Sequence, residues 1–266
     1  MSQLTEQSFN AITDLFHRIS GIKLVETKHA LVQSRLQKLS VDAGEDDINV
    51  FVQKMVRGQM PEAMLVNVVD KLTTNETYFF REPQHFEDLA RRAEAHRDGG
   101  EFLVWSGASS SGEEAYSIAM TLADKMGNRP WGIRGTDLST AMVDTARQGL
   151  YPMERARMVP NEYLKRFCLR GEGPYQGQLL ITRELRAKVQ FQCANLMQPL
   201  PTLPMFDVIF LRNVLIYFDG PAKTAIVNRV IERLKPGGVL YPGHAESLAA
   251  LGLPLKAIAP AIYQHA

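Results

Sequence analysis

The most chemically loaded stretch of the sequence is residues 106–114, SGASSSGEE, where Gly107 and Gly112 permit close backbone approach and Glu113 and Glu114 bring paired negative charge. The glycines are not spaced as G-x-G-x-x-G, so a dinucleotide is poorly supported. Paired acids at a helix entrance repel a pyrophosphate and favour an ammonium or sulfonium ligand; they would equally complement the helix N-terminus by themselves. Asp137 ends a second apolar run, where an acid either accepts hydrogen bonds from ribose hydroxyls or caps the following helix. Asn195 and Leu196 follow a further run and offer an amide and an apolar side chain, suited to an adenine edge and face. Two arginines complete the set, Arg81 in TTNETYFFRE (73–82) and Arg212 in LRNVLIYF (211–218). Each adjoins buried apolar sequence and so requires an anion, from the protein or from a ligand.

These residues need a frame. Residues 101–106 (EFLVWS) form a short apolar run of strand type, followed by the small-residue loop and a helical pattern through Met126, the opening of a βαβ unit. A second strand over 131–136 leads to Asp137 and a helix over 139–148; 206–211 read as a buried strand, 222–234 as a helix and 238–241 as the next strand. This alternation predicts a mostly parallel sheet covered by helices. Ahead of it, Phe9, Ile12, Leu15, Phe16 and Ile19 share a helical face behind the N-cap candidate Thr5, Gly21 ends that run, and Leu31, Val32, Leu36 and Leu39 mark a second. The expected organisation is a helical domain over 1–80, a linker to about 95, and an α/β domain over 96–266. Pro152, Pro160 and the turn-rich residues 170–177 break the rhythm, and 179–182 and 189–192 read as short strands, so a small antiparallel insertion is expected over about 150–190.

Composition bounds the possibilities. The chain has 266 residues, 45% of them hydrophobic, which supplies a proper core and excludes disorder. Its net charge of +1 offers no global field for nucleic acid or an anionic membrane. Two cysteines, Cys168 and Cys193, make neither a disulfide framework nor a metal-ligand cluster, so a reducing, cytoplasmic setting and no metal are expected. The N-terminal residues lack a signal peptide pattern, and no apolar window approaches a membrane span.

Taken in order, TTNETYFFRE, WSGASSSGEEAYSIAM, GTDLS, RNVLIYF and LKPGGVLYPGHAES closely resemble the CheR family of chemotaxis-receptor glutamate methyltransferases. The resemblance covers essentially the whole chain. It implies a class I, Rossmann-like S-adenosylmethionine-dependent methyltransferase, with S-adenosylhomocysteine as product and glutamates on receptor cytoplasmic helices as substrate. Carried across by motif, the family's cofactor contacts fall on Asn75, Thr77, Arg81, Glu114, Asp137, Asn195, Leu196, Arg212 and Asn213, and its reaction centre on Arg81, Arg212 and Tyr217. Ala115 stands where relatives often have proline, a helix-start device whose loss should matter little.

The side chains agree with such a reaction. A glutamate is ionised near pH 7, its reference pKa being roughly 4.3, so no catalytic base is needed; the work is positioning, for which arginine's donor fork and a tyrosine hydroxyl are suited. His244 is accordingly read as structural or pocket-lining. Competing readings are a nucleic-acid methyltransferase, which would show an Asn/Asp-Pro-Pro-aromatic motif where Arg212 and Asn213 stand, a cofactor-binding regulatory module without catalysis, and a receptor-like signalling system outside chemotaxis. The resemblance further implies a monomer whose helical domain faces the acidic receptor helices, with Lys28 and Arg35 two turns apart on one face. Finally, some family members hold a receptor C-terminal peptide on the insertion. Gly171 and Gly173 resemble their compact turn, the strands over 179–182 and 189–192 are the expected edge, and Arg170 or Arg186 would meet the peptide's acids.

Overall fold

The structure, a computed structural model, describes residues 2–97 and 100–265. It divides into two compact units, Met1–Thr74 and Asn75–Ala266. The first holds helices α1 (Glu6–Ser20), α2 (His29–Asp42), α3 (Ile48–Val56) and α4 (Glu62–Leu72). Thr5 caps α1, its side chain accepting from the Ser8 amide at 3.2 Å, and Gly21 closes the helix in the left-handed region at φ 75°. Phe9, Ile12 and Phe16 of α1 are buried, as are Val32, Leu36 and Leu39 of α2, the faces marked by the sequence periodicity. Arg35 departs from expectation. Its Nη1 donates to the carbonyls of Leu72 and Thr73, both at 3.1 Å, so it satisfies carbonyls at the C-terminal end of α4 rather than sharing an open charged face with the exposed Lys28.

In the second unit, α5 (Pro83–Ala95) is followed by β1 (Phe102–Gly107), α6 (Glu113–Met126), β2 (Trp131–Asp137) and α7 (Thr140–Gln148). The insertion then carries β3 (Leu150–Pro152), α8 (Asn161–Phe167), β4 (Cys168–Arg170), β5 (Gln178–Ile181) and α9 (Arg183–Arg186). The chain returns to the large sheet with β6 (Val189–Cys193), β7 (Phe206–Leu211), α10 (Gly220–Ile231), β8 (Leu234–Pro242), β9 (Leu255–Ala259) and β10 (Ile262–His265). The large sheet runs β6-β2-β1-β7-β8-β10-β9, its first five strands parallel and β10 antiparallel to both of its neighbours. Val104, Trp105, Ile133, Val208, Ile209 and Phe210 are fully or almost fully buried, as strands covered on both faces require. This is the class I methyltransferase architecture, Rossmann-like and mostly parallel. Strand order reverses between β1 and β7, so the loops leaving those strands border the crevice where such sheets bind ligands.

Two expectations fail for local reasons. Residues 83–95 are a helix and not a linker: the charged residues of α5 hide a narrow stripe in which Phe86, Leu89 and Ala93 are buried in the core of this unit. The strand at 189–192 belongs to the large sheet, parallel to β2 with Asp137 opposite Cys193, while the small antiparallel sheet is ordered β3-β5-β4. The strand over 179–182 is therefore central and has both edges covered. The free edges of the small sheet lie on β3 and β4.

Candidate active site

Loop geometry at the ends of β1 and β2 is set by one acid. Asp137 Oδ2 accepts from the Ser110 amide at 2.7 Å and Oδ1 from the Ser139 amide at 2.9 Å. Ser139 caps α7, its hydroxyl accepting from Met142 N at 3.2 Å, so Asp137 is not the helix cap. It instead holds a β1–α6 loop in which Ala108, Ser110 and Gly112 all take positive φ, at 56°, 50° and 95°. Gly112 admits no side chain, because a Cβ there would lie 2.8 Å from that of Ala146. Asn75 joins the same loop, its carbonyl accepting from Ser110 Oγ at 3.1 Å; Thr77, two residues on, is half-buried. Next to Asp137, the end of β6 is fastened by the Ala194 amide donating to the Asp137 carbonyl at 2.9 Å. Asn195 Oδ1 accepts from Met197 N at 2.9 Å, and Leu196 is buried.

The two acids heading α6 part company. Glu113 is fully buried and pairs with Arg155 and with Ser111 Oγ, the latter at 2.6 Å. Glu114 Oε1 accepts from Ser106 Oγ at 2.7 Å, and Oε2 meets Arg212 Nη1 at 3.1 Å. Burial pushes the Glu114 carboxyl above its ordinary value despite the Arg212 charge.

Arg212, whose side chain is 2% exposed, leaves β7 into this cluster. Besides Glu114 it meets Glu82 Oε2 through Nη2 at 3.1 Å, donates to the Arg81 carbonyl, and lies over the rings of Phe86 and Phe210 at 5.7 and 5.9 Å. Asn213 follows at φ 56° and reaches Glu82 Oε1 through Nδ2 at 3.4 Å. Burial disfavours the Glu82 charge, but Arg212 and the hydrogen bonds from Arg212 and Asn213 outweigh it and hold the carboxyl below its usual value. Tyr217 is half-buried at the end of a single 3-10 turn, Leu215–Tyr217, on the same loop. Arg81 contributes its backbone to Arg212, while its guanidinium donates to the Glu76 carbonyl at 3.2 Å and lies 5.7 Å from the Tyr78 ring centroid.

The sequence reading missed Glu82 and Glu246. Glu82 sits inside the quoted motif beside Arg81, and a buried arginine was itself a signal that an acid had to be near. Glu246 lies in the quoted PGHAE segment, where His244 drew attention. His244 is 42% exposed at the side chain, with Nδ1 4.0 Å from Glu82 Oε2, which fits a lining residue. His85 stacks on Tyr241 at 5.0 Å and donates Nε2–H to the Ala261 carbonyl at 3.1 Å; burial and the Arg212 charge lower its pKa to about 4, so it is neutral. Donor atoms of Glu82, His85 and His244 fall within 4.8 Å of one another, but the Arg212 guanidinium already occupies the shared carboxylate oxygen with the positive charge a cation would bring.

The chain matches one family and is similar to several known proteins. The family described as CheR methyltransferase, SAM binding domain, matches residues 75–259. The chemotaxis protein methyltransferase of Salmonella typhimurium is 38% identical over 251 residues, covering 93% of this chain and 86% of the relative. That of Escherichia coli is also 38% identical, with coverages of 93% and 87%, and chemotaxis protein methyltransferase 2 of Pseudomonas aeruginosa is 37% identical, with coverages of 98% and 94%.

Proposed function

The chain belongs to the CheR methyltransferase family, an S-adenosylmethionine-dependent family, and from that membership we propose that it methylates glutamate side chains on the cytoplasmic helices of chemoreceptors in chemotaxis. The donor set at the strand ends fits the cofactor chemically. Asp137, an acid held rigid by two backbone amides, would take the ribose hydroxyls. Asn195 and Leu196 would take the adenine. Asn75, Thr77, Arg81, Glu114, Arg212 and Asn213 would take the amino-acid end, an acid suiting its ammonium. When bound, the cofactor supplies an electrophilic methyl group on a sulfonium.

The substrate carboxylate is already ionised near neutral pH, with a reference value of roughly 4.3, so the protein's task is orientation and exclusion of water. Arg81, Arg212 and Tyr217 form the proposed reaction centre, and electrostatics divides the labour between the arginines. Arg212 is matched by Glu82 and Glu114, so its charge is largely spent within the protein. The Arg81 guanidinium rests on a neutral carbonyl and an aromatic face, and retains its charge for an incoming carboxylate. The single observation carrying this reading is the 37–38% identity to chemotaxis protein methyltransferases over at least 93% of the chain. Its test is transfer of labelled methyl from S-adenosylmethionine to receptor signalling-domain fragments: base-labile carboxyl esters are expected, and label that resists base overturns the assignment.

No helix among the described residues is long and apolar enough to cross a membrane, and the proposed setting is the cytoplasm, as a monomer. The receptor C-terminal peptide would dock on β4, an edge of the small sheet, and not on the strand pair named by sequence. Gly171 leaves no room for a Cβ beside the Tyr175 carbonyl, and Gly173 takes φ 55°, so the turn next to this edge is compact. Arg170 ends β4 and is exposed. Arg186 is tied to the Ile181 carbonyl at 3.1 Å, which leaves Arg170 as the better partner for an acidic peptide. Titration with receptor C-terminal peptides decides the matter, with affinity weaker than about millimolar, roughly −4 kcal/mol, ending the tether.

A further inference from the structure

The loop that bears Arg212, Asn213 and Tyr217 is shaped by a carboxylate from another strand's loop. Glu246 is 6% exposed. Its Oε2 accepts from the Asn213 amide at 2.6 Å and from the Gly243 amide at 2.9 Å, while Oε1 accepts from the Ile216 amide at 3.0 Å. The Glu246 amide in turn donates to the Gly243 carbonyl at 2.8 Å, closing a tight turn at the end of β8. Two of the three donors lie within the loop after β7, so one side chain fixes both where that loop turns and how it starts its 3-10 turn. The Asn213 backbone is held at φ 56°, a conformation a non-glycine residue keeps only when its surroundings enforce it. Gly243 makes the approach possible. A Cβ on it would lie 2.7 Å from Asn213 Nδ2 and 3.0 Å from Asn213 N.

We infer that Glu246 is a positioning residue for the methyl transfer, acting through the backbone of Asn213 and Ile216 to set the directions of Arg212, Asn213 and Tyr217. A carboxylate is the group this needs, since both of its oxygens only accept and all three partners only donate. Glutamine presents one oxygen and one amino group, so Glu246→Gln turns a donor toward at least one backbone N–H and releases part of the loop. Gly243→Ala attacks the same junction from the opposite side by crowding Asn213. Neither Glu246 nor Gly243 is itself a proposed cofactor or substrate contact; both changes act through Asn213, which is one.

The inference rests on the methyltransferase reading, and the experiment separates the two. S-adenosylhomocysteine affinity by calorimetry and kcat/KM for receptor-fragment methylation are measured for the full-length wild type, Glu246→Gln, Gly243→Ala and the double variant, alongside circular dichroism and cooperative melting. Both single variants are expected to fold, to bind S-adenosylhomocysteine at least tenfold more weakly and to lose on the order of a hundredfold in kcat/KM. The double variant should be little worse than the poorer single one, because both break one junction. Wild-type affinity and turnover in either folded variant overturns the role, as does a lowered melting point with unchanged activity per folded molecule. Failure of both single variants to fold also overturns it, by making Glu246 a folding residue. A wild type that neither binds S-adenosylhomocysteine nor transfers methyl sinks the underlying reading instead.

Discussion

Helix α6 begins with two neighbouring glutamates that meet two different regions, and the contrast shows how one sequence feature serves two ends. On the side of the insertion, Glu113 is sealed against Arg155, whose side chain is 42% exposed, and Tyr151 donates its hydroxyl to the Ser111 carbonyl at 2.7 Å. On the side of the β7 loop, Glu114 meets Arg212, whose side chain is 2% exposed and which also binds Glu82. Both are arginine-to-carboxylate contacts, the first to a fully buried acid and the second to a half-buried one. The first fastens a subdomain to the sheet; the second holds charge in the crevice at the strand ends. Removing Arg155 strands one acid, whereas removing Arg212 strands two.

The largest expected effect follows from that asymmetry. Arg212→Ala should lower stability by about 3–5 kcal/mol, the usual penalty for orphaning a buried charge, and abolish measurable methylation. Urea titration and labelled-methyl transfer check this, and a stable, active variant would equate the two regions. Next comes Arg81→Ala, which removes an arginine whose guanidinium rests on the Glu76 carbonyl and the Tyr78 ring: about a hundredfold loss of turnover is expected with an unchanged melting point. A loss of stability with activity retained would assign Arg81 to the fold. Asp137→Ala should weaken S-adenosylhomocysteine binding by about 1–3 kcal/mol, through the ribose contact and the loosened Ser110 loop; calorimetry at unchanged affinity removes Asp137 from the site.

On the insertion side, Arg155→Met should cost about 1–3 kcal/mol of stability by leaving Glu113 without its cation, yet leave S-adenosylhomocysteine affinity unaltered. A matching drop in affinity would show that the two regions are coupled. The smallest effect is in acid titration. Glu82 has a lowered folded pKa, so its contribution is present above its ordinary value of 4.5 and lost as pH falls below it. Glu114 has a raised one, so its contribution has the opposite sign, present below 4.5 and lost as pH rises above it. Relative to wild type, melting temperature followed from pH 6 to pH 3 should fall more steeply for Glu114→Gln and less steeply for Glu82→Gln. His85, neutral in the fold with a pKa lowered to about 4, adds acid sensitivity to all three proteins; because the Glu82 charge partly offsets that lowering, Glu82→Gln reports the two groups together, while Glu114→Gln reports its own carboxyl. Identical slopes refute the opposed signs.

Legibility in the sequence followed the range of the interaction. Strands β1, β2 and β7 announced themselves as apolar runs, and α1 as a capped amphipathic pattern, because burial on two faces or one stripe is written locally. The stripe of Phe86, Leu89 and Ala93 was hidden among charges, and β6 was grouped with β5 since a short strand carries no mark of its partner. The positions of Asp137 and Arg212 after apolar runs were readable, but their partners were not. Ser110 and Ser139 meet Asp137 through backbone amides, which no side-chain pattern encodes.

What the residues alone determined is the set of chemical groups and the family: acids and arginines at strand ends, and an ordered set of motifs shared with one family. What tertiary structure decided is the pairing. Adjacent glutamates have the same intrinsic charge, and only the arrival of Arg155 beside one and Arg212 beside the other separates a fastening from a charged cluster at the strand ends. Glu246 makes the same point more sharply, since its work is done entirely on backbone N–H groups brought to it by the parallel alignment of β7 and β8. Such contacts depend on where two loops meet, and that is fixed by strand order and register, quantities that exist only once the chain has folded.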